Sequence, residues 1–151
     1  KRIYAIEAWC LGCKRCEIAC KTQHSATRDT VKALTQEQPS PTSRVQVEGD
    51  RFLSLAVNCR HCAQPKCVEG CISGAMQKDP ASGLVTSDPA KCVGCRTCVS
   101  MVLLAAFKVS VEGRDIALKC DLCTEDGFIP GEPACVAACP NGALVYWESE
   151  E

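Results

Sequence analysis

Large aromatic side chains are scarce in this chain: three Phe, two Trp and two Tyr, 5% of 151 residues. A conventional core built on big rings is excluded, and a chain of this size that buries little apolar surface needs staples. Long hydrophobic runs are missing as well. The longest apolar stretch, residues 99–107, is broken by Ser100 and falls far short of the roughly 20 residues that cross a bilayer. Net charge of either sign is nearly absent, 17 basic against 18 acidic side chains, which removes the footprint of a nucleic-acid partner. Nothing resembles a nucleotide loop or a paired nucleophile and base, so no catalytic constellation emerges. No secretory signal is visible: Lys1-Arg2 is followed by only a brief apolar run before Glu7, and a cytoplasmic address is expected.

The charge that is present is unevenly spread. Residues 1–71 hold eleven basic and seven acidic side chains, while residues 72–151 hold six and eleven. The acidic excess includes Glu148, Glu150 and Glu151, which read as a solvated, frayed end.

What the chain has in abundance is sulfur, with fifteen cysteines, about one residue in ten. They fall into four groups. Cys10, Cys13, Cys16 and Cys20 form a C-x2-C-x2-C-x3-C run, and Cys59, Cys62, Cys67 and Cys71 follow C-x2-C-x4-C-x3-C. Cys92, Cys95 and Cys98 start like the first group but lack a fourth member. Cys120, Cys123, Cys135 and Cys139 carry a long insertion before their third cysteine. No cysteine is left over. An odd count and two-residue gaps disfavour structural disulfides, and cytoplasmic thiols stay reduced. Zinc uses paired C-x2-C knuckles and has no need of a third cysteine two residues further on. A cubane iron–sulfur cluster does need it: three thiolates on one tight loop reach three irons, and the fourth comes from elsewhere. Iron–sulfur is therefore the favoured reading. A structural zinc module for protein interactions is the rival from another class, colourless where an iron–sulfur protein is brown.

Four segments carry a family resemblance. They are Cys10-Leu-Gly-Cys-Lys-Arg-Cys-Glu-Ile-Ala-Cys20; Asn58-Cys-Arg-His-Cys62 with Pro65-Lys-Cys-Val-Glu-Gly-Cys71; Lys91-Cys-Val-Gly-Cys-Arg-Thr-Cys98; and Lys119-Cys-Asp-Leu-Cys123 with Pro133-Ala-Cys-Val-Ala-Ala-Cys-Pro-Asn-Gly-Ala143. Together they resemble the four-cluster, ferredoxin-like iron–sulfur subunits of the dimethyl sulfoxide reductase type. Relatives of that type serve formate dehydrogenases, hydrogenases, carbon monoxide dehydrogenases and tungsten aldehyde oxidoreductases. The resemblance implies a nested pairing of the first group with the fourth and the second with the third. Cys10, Cys13 and Cys16 would share a 4Fe–4S cluster with Cys139. Cys120, Cys123 and Cys135 would share one with Cys20, and Cys92, Cys95 and Cys98 one with Cys71. Cys59, Cys62 and Cys67 would share theirs with position 102, which is Val102. Valine has no lone pair, so the fourth cluster is expected to be 3Fe–4S, or 4Fe–4S with a non-cysteine ligand. Ser100 lies two residues out of register for that role. The family's proline after the last cysteine of a run stands at Pro140, but Ile72 and Lys21 replace it after Cys71 and Cys20. Only packing should change there.

Between the motifs the pattern is of short hairpins and turns. Strands are expected at residues 2–8, 52–57 and 143–147, and hairpins at 75–86 and at 107–118, the second turning at 112–115. Residues 16–20 and 135–139 read as helical turns, and 30–38 as a short amphipathic helix. The expected fold is α+β: tandem, pseudo-symmetric ferredoxin-like units, with small hairpins and short helices wrapped around iron–sulfur clusters. It forms a single polyferredoxin domain over residues 1–151, with an outer unit of about 1–50 plus 115–151 and an inner unit of about 51–114. His61 lies in a loop whose ligand spacing Cys59 and Cys62 already fill, and reads as structural. His24 reads as a surface residue rather than a proton shuttle. Lys14, Arg15, Lys66, Arg96 and Lys119 flank cysteines and are expected to offset cluster charge. Trp9 and Trp147 read as shielding core rather than relays.

Fully ligated clusters packed in one small chain carry electrons and bind no substrate. The expected function is that of an electron-transfer subunit, not catalytic alone, between a catalytic oxidoreductase subunit and a second redox carrier. The partner expected first is a tungsten or molybdenum aldehyde or formate oxidoreductase, and carbon monoxide dehydrogenase or hydrogenase next. A free-standing polyferredoxin is the alternative.

Overall fold

Short alternating segments become short strands, and each strand finds one antiparallel partner. The computed structural model describes residues 1–50, 52–102, 107–111, 114–123 and 130–148. The chain divides into two units, residues 1–58 with 122–151, and residues 59–121.

In the first unit, β1 (Arg2–Ala5) pairs with β8 (Leu144–Trp147), with Ile3 opposite Tyr146 and Ala5 opposite Leu144. Ile3 and Leu144 are buried where the pleat turns them inward. The expected strand over 2–8 stops at Ala5, because residues Glu7–Trp9 wind into a 3₁₀ turn closed by Cys10 N–H on the Glu7 carbonyl at 3.1 Å. Helix α1 (Arg15–Gln23) contains the expected turn at 16–20 and runs beyond it. Its Glu17 carboxylate accepts the Val47 N–H at 2.7 Å, which ties the helix to β2 (Val45–Gly49). Helix α2 (Thr30–Thr35) is capped by the Asp29 carboxylate, which accepts from Lys32 N–H at 2.9 Å, and ends short of residue 38. The Glu37 carboxylate accepts the Ala26 and Thr27 N–H groups at 3.2 and 2.9 Å, closing the intervening loop.

Strand β2 pairs with β3 (Ser54–Asn58), Val47 facing Ala56. The strand expected at 52–57 starts late because the Asp50 carboxylate holds the Phe52 and Leu53 N–H groups in a turn, at 2.8 and 3.0 Å. Its partner β2 went unpredicted, although Val45 and Val47 alternate with polar residues.

In the second unit, α3 (Lys66–Glu69) precedes the hairpin β4 (Met76–Lys78) and β5 (Val85–Ser87), where Met76 faces Ser87. The Asp79 carboxylate accepts the Ala81 and Ser82 N–H groups and forms the turn expected there. Helix α4 (Thr97–Met101) follows, then β6 (Phe107–Val111) paired with β7 (Arg114–Leu118). Residues 112 and 113 of that hairpin's expected turn, and Glu150 and Glu151 of the acidic end, lie outside the described residues. Helix α5 (Ala134–Ala137), in the first unit, begins after Pro133 and packs on α1. Helices α3 and α4 are single turns too short for a hydrophobic period to announce them.

The apolar core is small and thiol-rich. In the second unit Cys67, Met76, Val85, Cys98 and Ala117 form one buried cluster, and Val68, Cys71, Cys92, Val99 and Val102 pack against it. Sulfur occupies the space that aromatic rings fill elsewhere.

Candidate metal centres

In the first unit the 3₁₀ turn delivers Cys10, and the following loop reverses twice through left-handed backbone, at Gly12 (φ +64°) and Lys14 (φ +58°). Cys13 sits between these reversals, Cys16 lies in the first turn of α1, and Cys139 follows α5. All four thiols line one pocket, with Trp9, Leu11, Val47, Ala56 and Pro140 as apolar walls. Burial pushes the Cys16 thiol up to about 12; the Glu17 N–H works against this, while negative charge on Glu17, Cys13 and Cys139 adds to it. The Asn141 amide donates to the Trp9 carbonyl at 2.9 Å and fastens one rim to the other.

The second unit repeats the loop. Gly94 (φ +71°) and Arg96 (φ +62°) flank Cys95, and a Cβ at Gly94 would lie 2.5 Å from the Asp115 carbonyl oxygen, so only glycine fits. Cys71, Cys92, Cys95 and Cys98 line one pocket. This pocket is rich in donors to sulfur. Met76 N–H donates to Cys71 Sγ at 3.3 Å, and the Thr97 hydroxyl to Cys95 Sγ at 3.4 Å. Ser73 Oγ lies 3.7 Å from Cys71 Sγ. Burial raises the Cys71 thiol, but the Met76 N–H, the Ser73 hydroxyl and the Ser73 and Ala75 N–H groups outweigh it and bring it below the ordinary value. The Thr97 hydroxyl and N–H lower Cys95, whereas burial, ahead of repulsion from Cys71, Cys92 and Cys95, raises Cys98.

Cys59, Cys62 and Cys67 also belong to the second unit, the first and last buried and Cys62 exposed. Lys119, itself 6% exposed, places Nζ 3.5 Å from Cys59 Sγ. Burial raises the Cys59 thiol and the Lys119 ammonium opposes it. Cys20, Cys123 and Cys135 lie in the first unit, and buried Cys120 in the second. Arg44 N–H donates to Cys20 Sγ at 3.2 Å.

The other singled-out residues divide sharply. His24 is half-buried rather than a plain surface residue: Nδ1 donates to the Cys20 carbonyl at 2.8 Å, and Nε2 lies 3.8 Å from Cys123 Sγ. His61 is buried with φ +45°, and its Nδ1 accepts the Val85 N–H at 2.9 Å, which commits that nitrogen to the fold. Of the five flanking cations, Lys119 is the one buried against a sulfur. Lys66 pairs with Glu69 and Arg96 with Asp115, at 2.7 and 2.6 Å, in exposed ion pairs. Trp9 walls the Cys10 pocket while half its surface stays exposed, and Trp147 is 63% exposed, so neither is core. The sulfur-directed hydroxyls of Ser73 and Thr97, and the tether Glu17, were not foreseen. Single hydroxyls near cysteines leave no pattern in a sequence.

Iron–sulfur clusters suit these pockets chemically. The groups that converge are thiols, the walls are apolar, and the left-handed reversals beside Cys13 and Cys95 are the kind of backbone that turns N–H groups toward an anion. Among the described residues no helix is long and apolar enough to cross a membrane. Comparison with known proteins agrees with the chemistry. Electron transport protein HydN of Escherichia coli (strain K12) is 36% identical over 95% of this chain and 85% of its own length. An iron-sulfur protein of Rhodospirillum rubrum is 34% identical over 94% of this chain and 79% of its own. The NADH-dependent phenylglyoxylate dehydrogenase subunit beta of Aromatoleum evansii is 38% identical over 92% of this chain, which spans only 28% of that protein. The profile of the 4Fe-4S dicluster domain matches residues 51–148, about two thirds of the chain, and with these relatives it establishes that the chain belongs to the 4Fe-4S dicluster domain family.

Proposed function

We propose that this chain is a four-cluster electron-transfer subunit of the dimethyl sulfoxide reductase type, built as a tandem, pseudo-symmetric polyferredoxin domain. The observation that carries the reading is the convergence of Cys139 with Cys10, Cys13 and Cys16 on one pocket, across more than a hundred residues of sequence. A chain meant for independent zinc knuckles has no reason to bring a distant fourth thiol to a C-x2-C-x2-C loop. The parallel grouping of Cys71 with Cys92, Cys95 and Cys98 supports the same nesting. On this reading Cys20 serves with Cys120, Cys123 and Cys135.

Bound iron–sulfur clusters supply one-electron redox chemistry. The chain's own part is to hold and tune them. Thiolates from two separated segments fix each four-cysteine site, so folding and metal loading are one event there. Buried Lys119 offsets negative charge at Cys59, and the apolar walls limit water. At the site of Cys59, Cys62 and Cys67 the fourth position is Val102, which packs against the apolar cluster containing Cys67. His61 Nδ1 is engaged by Val85. A 3Fe–4S cluster needs only the three thiolates present and is the preferred occupant, with 4Fe–4S bearing a non-cysteine ligand second.

The subunit is not catalytic alone. It passes electrons in the cytoplasm between a catalytic oxidoreductase subunit and a second carrier. A tungsten or molybdenum aldehyde or formate oxidoreductase is the first partner to seek, by metal analysis of the native complex. The test of the reading is iron analysis with electron paramagnetic resonance of the oxidised holoprotein. About fifteen irons per chain and a near-isotropic signal are expected for three 4Fe–4S clusters and one 3Fe–4S. About sixteen irons and no such signal would remove the 3Fe assignment, and stoichiometric zinc without iron would remove the whole reading.

A further inference from the structure

The two four-cysteine pockets differ in one chemical respect. The residues lining the Cys10 pocket include no hydroxyl side chain, whereas Ser73 and Ser87 line the Cys71 pocket and Thr97 reaches its Cys95 sulfur. Ser87 stands apart from the other two. Its Oγ is buried and has no hydrogen-bond partner among the described residues. A buried hydroxyl left unsatisfied is costly, and a native one calls for a reason.

The position of Ser87 supplies the reason. It ends β5 directly opposite Met76 of β4, and the Met76 N–H donates to Cys71 Sγ, so the end of this hairpin is turned toward the sulfurs. Ala75, Val93 and Ala117 offer that hydroxyl no side-chain partner, and Arg96, a donor only, is paired with Asp115. Beyond the weak Met76 thioether, the side-chain acceptors in the pocket are the Ser73 hydroxyl, already beside Cys71, and the four cysteine sulfurs. We propose that the Ser87 hydroxyl donates a hydrogen bond to sulfur of the centre held by Cys71, Cys92, Cys95 and Cys98, and holds that centre's reduction potential up. The inference rests on the reading of these four cysteines as one iron–sulfur site. Its physics is simple. Reduction adds negative charge to the centre, a donor stabilises the more negative state, and the potential rises.

The experiment is an anaerobic potentiometric titration of the holoprotein read by electron paramagnetic resonance. Cys92→Ser identifies the signal of this centre by altering it. Ser87→Ala should leave iron content and that signal in place while lowering its midpoint, by roughly a tenfold fall in the ratio of reduced to oxidised centre at fixed potential, about 59 mV. Ser87→Thr, which keeps a hydroxyl, should restore most of the shift. The signal assigned to the Cys10 pocket should not move in either variant. An unchanged midpoint in Ser87→Ala with iron intact overturns the inference. If Ser87→Ala does not retain the centre, Ser87→Cys, a near-isostere with a weaker donor, is titrated instead. A smaller fall in the same direction is expected, and no fall overturns the inference. Should Cys92→Ser leave every signal and the iron count unchanged, the four-cysteine reading itself fails. That outcome is distinct from a silent Ser87.

Discussion

Replacing Lys119 with methionine should loosen the iron held by Cys59, Cys62 and Cys67 while leaving the Cys10 pocket untouched. Lys119 is 6% exposed and its ammonium lies 3.5 Å from Cys59 Sγ, a thiol that burial pushes up. Two unit charges about 4 Å apart interact by roughly 4 kcal/mol at an effective dielectric of about 20. The thiolate shares its charge with iron, and desolvating the lysine cancels part of the gain, so the net loss is smaller. About 1.4–2.8 kcal/mol remains, equivalent to roughly 10–100-fold in iron retention. Methionine keeps the stem volume, so packing changes little. The assay is a chelator challenge of the anaerobic holoprotein, following loss of visible absorbance and of the resonance signal of that site. Lys66→Met is the internal control: its side chain is 62% exposed and pairs with exposed Glu69. That change should alter retention by no more than about 0.5–1 kcal/mol, as surface ion pairs do. If Lys119→Met keeps its iron as the wild type does, or Lys66→Met loses it equally, the charge-compensation argument is wrong.

Gly94→Ala should prevent assembly of the Cys71 pocket, because the new methyl meets the Asp115 carbonyl oxygen at 2.5 Å in backbone that cannot easily yield. Gly142→Ala, also left-handed (φ +62°) but with open space around it, should cost only the strain of about 1–2 kcal/mol; iron content and thermal midpoints of the two holoproteins make the comparison. Cys139→Ala should disturb the centre at Cys10, Cys13 and Cys16 more than the one at Cys120, Cys123 and Cys135, read by site-resolved spectroscopy, and the opposite order would refute the nesting. Removing iron with a chelator should collapse the chain cooperatively, because thiols occupy so much of the small core. Near-ultraviolet circular dichroism unchanged in the apoprotein would contradict this.

Local spacing made part of this architecture legible. The three cysteines of each C-x2-C-x2-C loop lie within seven residues, and the hairpin around Asp79 announces itself through Pro80 and Gly83. Other features were illegible for physical reasons. The meeting of Cys139 with Cys10 depends on the closing of β1 against β8, a pairing of chain ends that no local pattern encodes, and it entered through family resemblance. Strand β2 is short and follows a Pro-Ser-Pro break, so two valines were its whole signal. The single-turn helices α3 and α4 are positioned by Pro65 and by the left-handed Arg96, not by hydrophobic periodicity. His24 looked solvent-facing because nothing near it in sequence reveals that Cys123 approaches its ring. Ser87 is the extreme case, a common residue whose meaning comes only from what surrounds its oxygen.

The central claim is that distant cysteines converge in nested sets to hold iron. Anomalous diffraction at the iron edge from anaerobically grown holoprotein crystals tests it most directly. The account predicts iron density enclosed by Cys10, Cys13, Cys16 and Cys139, a second enclosed by Cys71, Cys92, Cys95 and Cys98, a third on Cys59, Cys62 and Cys67 alone, and a fourth on Cys120, Cys123 and Cys135 with Cys20. Density placing Cys139 with Cys120, Cys123 and Cys135, or single zinc ions in place of iron clusters, would contradict it.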